Sequence, residues 1–375
     1  MTCEHCGRQV PDAVFCTACG AHQGTTGQSG DPQLRHQHYA AHPGEHVGQP
    51  AVFSTIFPHL GHSRIHEFRY AFFAALGVLI LLVGTGLVVA ALLGAIFLIP
   101  ILYLVYLYEA RVYRDEPATV LGFTLGGGVI FGLVVSIVAD KVLQGTGKST
   151  TAGQIVGLTV ILPIVQIIFM VLPALLLRGR PAFPETIDGF AFGVASGLGF
   201  SVAEGLVRFS SVFTDQGLQT DSANWIAPLI GVAVLIPLLH GSASGVVTAS
   251  LWRTDRAGHA RFLGVAGVPL AVVLSVVFYL VGELMQNNGV AALVVLAFQV
   301  LPVGALLIFA RYLMHHALLE EAADMGFRAA VCPHCHRHVV AAGFCPNCGV
   351  ALAAGPRSQA TLGESAQPTV AGGAL

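Results

Sequence analysis

Between Tyr70 and His316 the chain is almost continuously apolar, and this block limits the possible fold more than any other feature. No soluble surface could be built around it: 10% of all residues are charged, 54% are hydrophobic, and mean hydropathy is +0.73. The block belongs in lipid, where each segment must satisfy its own backbone hydrogen bonds, so the sequence predicts an all-α polytopic bundle. Net charge is −2, which offers nucleic acid no electrostatic handle.

A bilayer core takes about 20 apolar residues per helix. That rule divides the block into spans at about 66–86, 88–109, 119–142, 153–178, 186–208, 225–252, 262–285 and 289–316. The first two are read as a tight hairpin. Tyr70 to Tyr108 is continuous apart from Gly84-Thr85-Gly86, and one helix of that length would overshoot the membrane. Lys and Arg near the span ends set the orientation. With both termini in the cytoplasm, Arg64, Arg69, Arg111, Arg114, Arg178, Arg180, Arg253, Arg256, Arg261 and Arg311 lie inside. Lys141, Lys148 and Arg208 lie outside, a bias of ten to three for a multi-pass protein of the cell membrane.

All eight cysteines lie in the polar flanks, as Cys3, Cys6, Cys16, Cys19 and Cys332, Cys335, Cys345, Cys348. Each set reads C-x2-C-x9-C-x2-C, the spacing of two knuckles whose thiolates close a tetrahedral structural zinc site. Gly7, Gly20 and Gly349 follow three of the knuckles, where positive φ lets the chain turn around the metal. Phe15 and Phe344 precede the third cysteine of each set and are expected to form each module's small core. No cleavable signal precedes the first set, so zinc is expected rather than disulfides. The predicted organisation is a zinc ribbon at 1–22, a flexible His/Gly/Pro-rich linker at 23–63, a transmembrane domain at 64–318, a zinc ribbon at 330–352 and a disordered tail at 353–375. The expected partners are membrane lipid and a cytoplasmic or membrane protein, the latter bound by the ribbons.

Ionisable residues inside a bilayer are costly and mark function. The block carries Gln166 in the fourth span, Glu204 and Arg208 in the fifth, His240 in the sixth and Glu283 in the seventh. Glu204 and Arg208 are four apart and can pair along one helix face. At about 1.5 Å rise per residue, Gln166 and His240 fall near the midplane. Glu204 and Glu283 fall nearer the external face, up to a few turns above the histidine.

The stretch Phe183-Pro184-Glu185-Thr186-Ile187-Asp188-Gly189-Phe190-Ala191-Phe192-Gly193, continuing through Gly197-Leu198-Gly199-Phe200-Ser201-Val202-Ala203-Glu204, resembles the PrsW family of glutamic-type intramembrane proteases. The segment His240 to Gly245 is similar to the family's next helix, which carries a histidine. The resemblance spans about 70–316 and implies proteolysis within the membrane. Glutamates would polarise a water, and the histidine would bind the oxyanion or carry protons. The family's Glu-Glu-x-x-Lys motif is replaced here by Gln166-Ile167-Ile168-Phe169-Met170, and the asparagine after its glutamate by Gly205. The expectation is therefore a degenerate family member: a pseudoprotease scaffold, sensor or substrate-binding protein. One alternative is an active protease using Glu204, His240 and Glu283. A transporter is the other, because inward-facing polar residues can also line a substrate path.

Overall fold

The computed structural model describes residues 1–3, 7–10, 13, 15–18, 52–56, 62–109, 118–144, 152–180, 183, 186–214, 225–253, 259–324, 328–332, 338–341, 345, 347 and 349. It is an all-α bundle, and eight segments among the described residues are long and apolar enough to cross a membrane. After the short α1 (Val52–Ile56), α2 (His62–Gly84) and α3 (Val88–Glu109) form the hairpin that the sequence predicts. The turn between them has a local cause. Gly86 adopts φ +85°, its N–H bonds the Val83 carbonyl at 3.0 Å, and Leu87 N–H reaches back to Leu82 at 2.9 Å. This is the Schellman arrangement, which ends a helix on a left-handed glycine. The same device separates α11 (His259–Asn287) from α12 (Ala292–Asp324), where Gly289 sits at φ +71°.

The fourth and sixth spans are not plain α-helices. The fourth runs α5 (Ala152–Val156), a π turn (Gly157–Ile161) and α6 (Leu162–Leu175). The sixth runs α9 (Ile226–Ile230), a π turn (Gly231–Leu235) and α10 (Ile236–Arg253). Each π turn closes with an i→i−5 bond, Leu162 N–H to Gly157 and Ile236 N–H to Gly231. In both, a proline stands two residues beyond the turn, at Pro163 and Pro237. Proline donates no N–H and its ring crowds the carbonyl four residues earlier, so an α turn is disfavoured there and the chain widens by one residue.

The core is built around α7 (Thr186–Arg208), which packs between α10 and α4 (Ala118–Gln144). Its span is 89% buried, against 22% for the first span and 28% for the last two, so α7 is enclosed by protein while α2, α11 and α12 face lipid. Glycine makes this enclosure possible. A Cβ on Gly193 would meet Thr248 and the Ser244 backbone of α10, and one on Gly197 would meet the His240 backbone. On the other side Gly199 lies against the Leu125 carbonyl of α4, and Gly128 of α4 against that of Ser196. Backbones in this contact are closer than any side chain allows, the small-residue packing that holds helices together where lipid supplies no hydrophobic drive.

At the termini, Cys3, Cys16, Cys332 and Cys345 are buried. Cys6, Cys19, Cys335 and Cys348 lie outside the described residues, as do the tail and most of the 23–63 linker. Of the three expected knuckle glycines, the two described, Gly7 and Gly349, adopt the turn that the cysteine spacing asks for, and Gly20 lies outside the described residues. Gly7 (φ +71°) donates to the Cys3 carbonyl and Gly349 (φ +73°) to that of Cys345, both at 2.9 Å. The ring of buried Phe15 lies against Gly349 of the other terminal module, a contact the expected role of Phe15 in its own module's core does not include; Phe344 lies outside the described residues. Strands β1 (Arg328–Val331) and β2 (His338–Ala341) pair antiparallel ahead of Cys345, with Arg328 opposite Ala341.

Candidate active site

Glu204 lies one turn from the end of α7, buried among α6, α10 and α11. Four groups converge on its carboxylate. Gln166 Nε2, from α6, donates to Oε2 at 3.1 Å, and His240 Nε2, from α10, lies 3.4 Å from the same oxygen. Tyr279 of α11 donates its hydroxyl to Oε1 at 3.4 Å, and Arg208 Nη1 stands 3.7 Å from it. Tyr279 Oη also lies 3.2 Å from His240 Nε2, so the tyrosine bridges imidazole and carboxylate. The Phe200 ring meets the imidazole edge-on with centroids 5.5 Å apart and fixes its plane.

A distance of 3.4 Å between Glu204 and His240 corrects the sequence-based depth estimate, which placed the glutamate well above the histidine. The reason is side-chain direction. The closest approach of α7 and α10 pairs Gly197 with His240, so Glu204 does stand about two turns, roughly 10 Å, further along. Helical side chains lean toward their own N-terminus. The two helices are antiparallel, so Glu204 leans back toward the midplane while His240 leans out toward Glu204, and the two tips meet.

The cluster opens into a cavity of about 190 Å³ whose wall includes Gln166, Glu204, Arg208, Tyr279, Glu283 and Asp140. Three buried polar atoms of the cluster and the cavity wall have no hydrogen-bond partner among the described residues: Gln166 Oε1, His240 Nδ1 and Ser136 Oγ. A carboxylate can only accept, so Gln166 must turn its Nε2 to Glu204 and leaves Oε1 unpaired. Glu283 reaches the cavity wall, where its carboxylate accepts from Asn287 Nδ2 at 3.1 Å. The Glu204–Arg208 pair forms as spacing suggested, but Arg208 is 53% exposed, so the pair is a weak, screened one.

Tyr279 is the site residue that sequence reasoning missed. A tyrosine in an apolar run carries no signal by itself; its spacing of four from Glu283 on the same helix face was the available clue. Gln166 and His240 had a stronger one. Gly157-x5-Pro163-x2-Gln166 and Gly231-x5-Pro237-x2-His240 are the same pattern, and each π turn delivers its polar residue to the same glutamate oxygen.

These features define a polytopic membrane protein with a buried carboxylate–imidazole–phenol cluster opening into a cavity. A family model described as PrsW family intramembrane metalloprotease matches residues 116–307, just over half of the chain, and the chain belongs to that family. No curated protein and no solved structure matches it.

The family's description names a metal. A catalytic zinc takes three protein ligands plus water. Among the described residues, no three of His, Cys, Asp and Glu are grouped to hold one ion. Glu204 and His240 make two, and both glutamate oxygens already face N–H or O–H donors. The residues present do not fit a resident catalytic metal, and no step below runs through one.

Proposed function

We propose that this PrsW-family protein hydrolyses a peptide bond within the membrane, with Glu204 as general base. The observation that carries the reading is the 3.4 Å approach of Glu204 and His240 at the edge of a polar cavity. A water in that cavity gives one proton to Glu204 while its oxygen attacks the peptide carbonyl carbon. The developing oxyanion accepts hydrogen bonds from Tyr279 Oη–H and from the imidazole, which the bridging contact holds together. Glu204 then returns the proton to the amide nitrogen as the C–N bond breaks, so no further acid is required. Gln166, standing where the family carries its first motif glutamate, positions the surviving carboxylate.

A second reading, a substrate-binding pseudoprotease, is favoured by one observation. Ile167 is buried and apolar where the family carries its second glutamate, so one carboxylate must do the work of a pair. Either way, both zinc ribbons are taken to lie in the cytoplasm. The left-handed turns at Gly7 and Gly349 and the buried Cys3, Cys16, Cys332 and Cys345 support two structural zinc ions that present the termini to a protein partner. The test of catalysis is cleavage of a membrane-spanning peptide by reconstituted protein and its Glu204→Gln, His240→Ala and Glu283→Gln variants. Loss with Glu204→Gln and His240→Ala supports hydrolysis; no cleavage by the wild type favours the binding protein.

A further inference from the structure

Outside the polar cavity, a second cavity of about 360 Å³ opens on the lipid face between α4 and the fourth span. Its lining is wholly apolar and includes Val134, Val138 and Val142 of α4 and Ile161, Val165 and Phe169 opposite. Val138 and Ile161 are more than half exposed, so the groove presents itself sideways to the bilayer. Ala139 and Leu162 line both this groove and the polar cavity. The wall between lipid and Glu204 is thus one alanine and one leucine side chain thick at that point. Leu162 is also the residue whose N–H closes the π turn. A π turn interrupts the regular α ladder; such turns are frequent at functional sites and are one of the few places where a helix kinks.

We propose that a membrane-spanning peptide segment of the substrate docks in this groove and that its end passes Leu162 to reach Glu204. The proposal rests on the hydrolytic reading of the site and adds the face of entry and the gate. A lipid acyl chain would fill the groove equally well by volume and polarity. What selects a peptide is the chamber behind the wall: Gln166 Oε1 is buried there and unpartnered, an acceptor that a backbone N–H satisfies and a hydrocarbon does not. Only a chain that is apolar over one stretch and offers amides at its unwound end suits both compartments.

The test places a photoreactive benzoylphenylalanine at Ile161 in the full-length protein in vesicles, with Leu301, exposed on α12, as the control position. The probe is a pool of synthetic Leu/Ala membrane-spanning peptides varied near their outer end. The expected result is peptide adducts at Ile161 at least about tenfold above Leu301, a difference of about 1.4 kcal/mol in occupancy. Equal labelling at both positions, or lipid adducts alone, overturns the proposal. Leu162→Trp fills the gate; it should cut cleavage by about tenfold or more while Ile161 adducts persist. Unchanged cleavage by that variant removes Leu162 as the gate. Adducts without cleavage by the wild type keep the docking face and overturn hydrolysis. Cleavage without Ile161 adducts keeps hydrolysis and overturns the docking face.

Discussion

Gly197→Ala tests the packing that brings Glu204 and His240 together. A Cβ built on Gly197 falls 2.7 Å from the His240 carbonyl carbon and closer still to its oxygen. Ordinary contact begins at 3.4 Å, so α10 must retreat by about 0.7 Å or more at the level of His240. Backbone atoms of two packed helices cannot give way as a side-chain tip can, and overpacking of this kind costs about 1–3 kcal/mol. Alanine recovers up to about 1 kcal/mol of helix propensity, leaving a net loss of up to about 2 kcal/mol. The same retreat carries His240 from 3.4 Å to about 4 Å from Glu204, beyond hydrogen-bond range. Thermal unfolding in detergent micelles should show a lowered midpoint, and peptide cleavage should fall about tenfold or more. Gly126→Ala on α4 is the matched control: its Cβ meets nothing within 4 Å, so the propensity term acts alone and the midpoint should hold or rise. A Gly197→Ala protein that melts and cleaves like the wild type would refute the α7–α10 contact.

Tyr279→Phe deletes the hydroxyl that touches both Glu204 and His240; kcat should fall about 10²-fold with KM little changed, and an unchanged kcat would remove the tyrosine from the chemistry. Metal analysis of the purified full chain should find about two zinc per molecule, falling to about one when Cys3 and Cys16 are replaced by serine; a metal-free, disulfide-bonded cytoplasmic preparation would refute the ribbons. Single cysteines placed at Lys148 and Arg114 in an otherwise cysteine-free background should react with an impermeant reagent in intact cells at the first position only. The reverse pattern would invert the assigned topology.

Membership of the bundle class was legible because lipid leaves so few options. Span number and the first hairpin follow from length, hydropathy and one Gly-Thr-Gly break. Hydropathy does not reveal the π turns, although Gly157-x5-Pro163 and Gly231-x5-Pro237 stand in the sequence, because it is blind to a missing N–H. Glu204 and His240 stand out in the sequence as ionisable residues in apolar spans, but their contact does not, since depth counted along Cα atoms ignores the opposite lean of side chains on antiparallel helices. Tyr279 was lost for a plainer reason: in an apolar run only its partners across space distinguish it from a packing residue. The Phe15–Gly349 contact joins residues more than three hundred positions apart, and nothing local in either ribbon signals it.

The most direct measurement is cleavage of membrane-spanning peptides by reconstituted wild type and Glu204→Gln protein, with both melting alike. Glutamine keeps the shape and two hydrogen-bonding sites of the side chain but cannot take a proton from water. The hydrolytic reading predicts cleavage by the wild type and a loss of about 10²-fold or more in the variant. Equal cleavage by the two proteins would contradict Glu204 as the base, and peptide binding without cleavage by either would leave the pseudoprotease in its place.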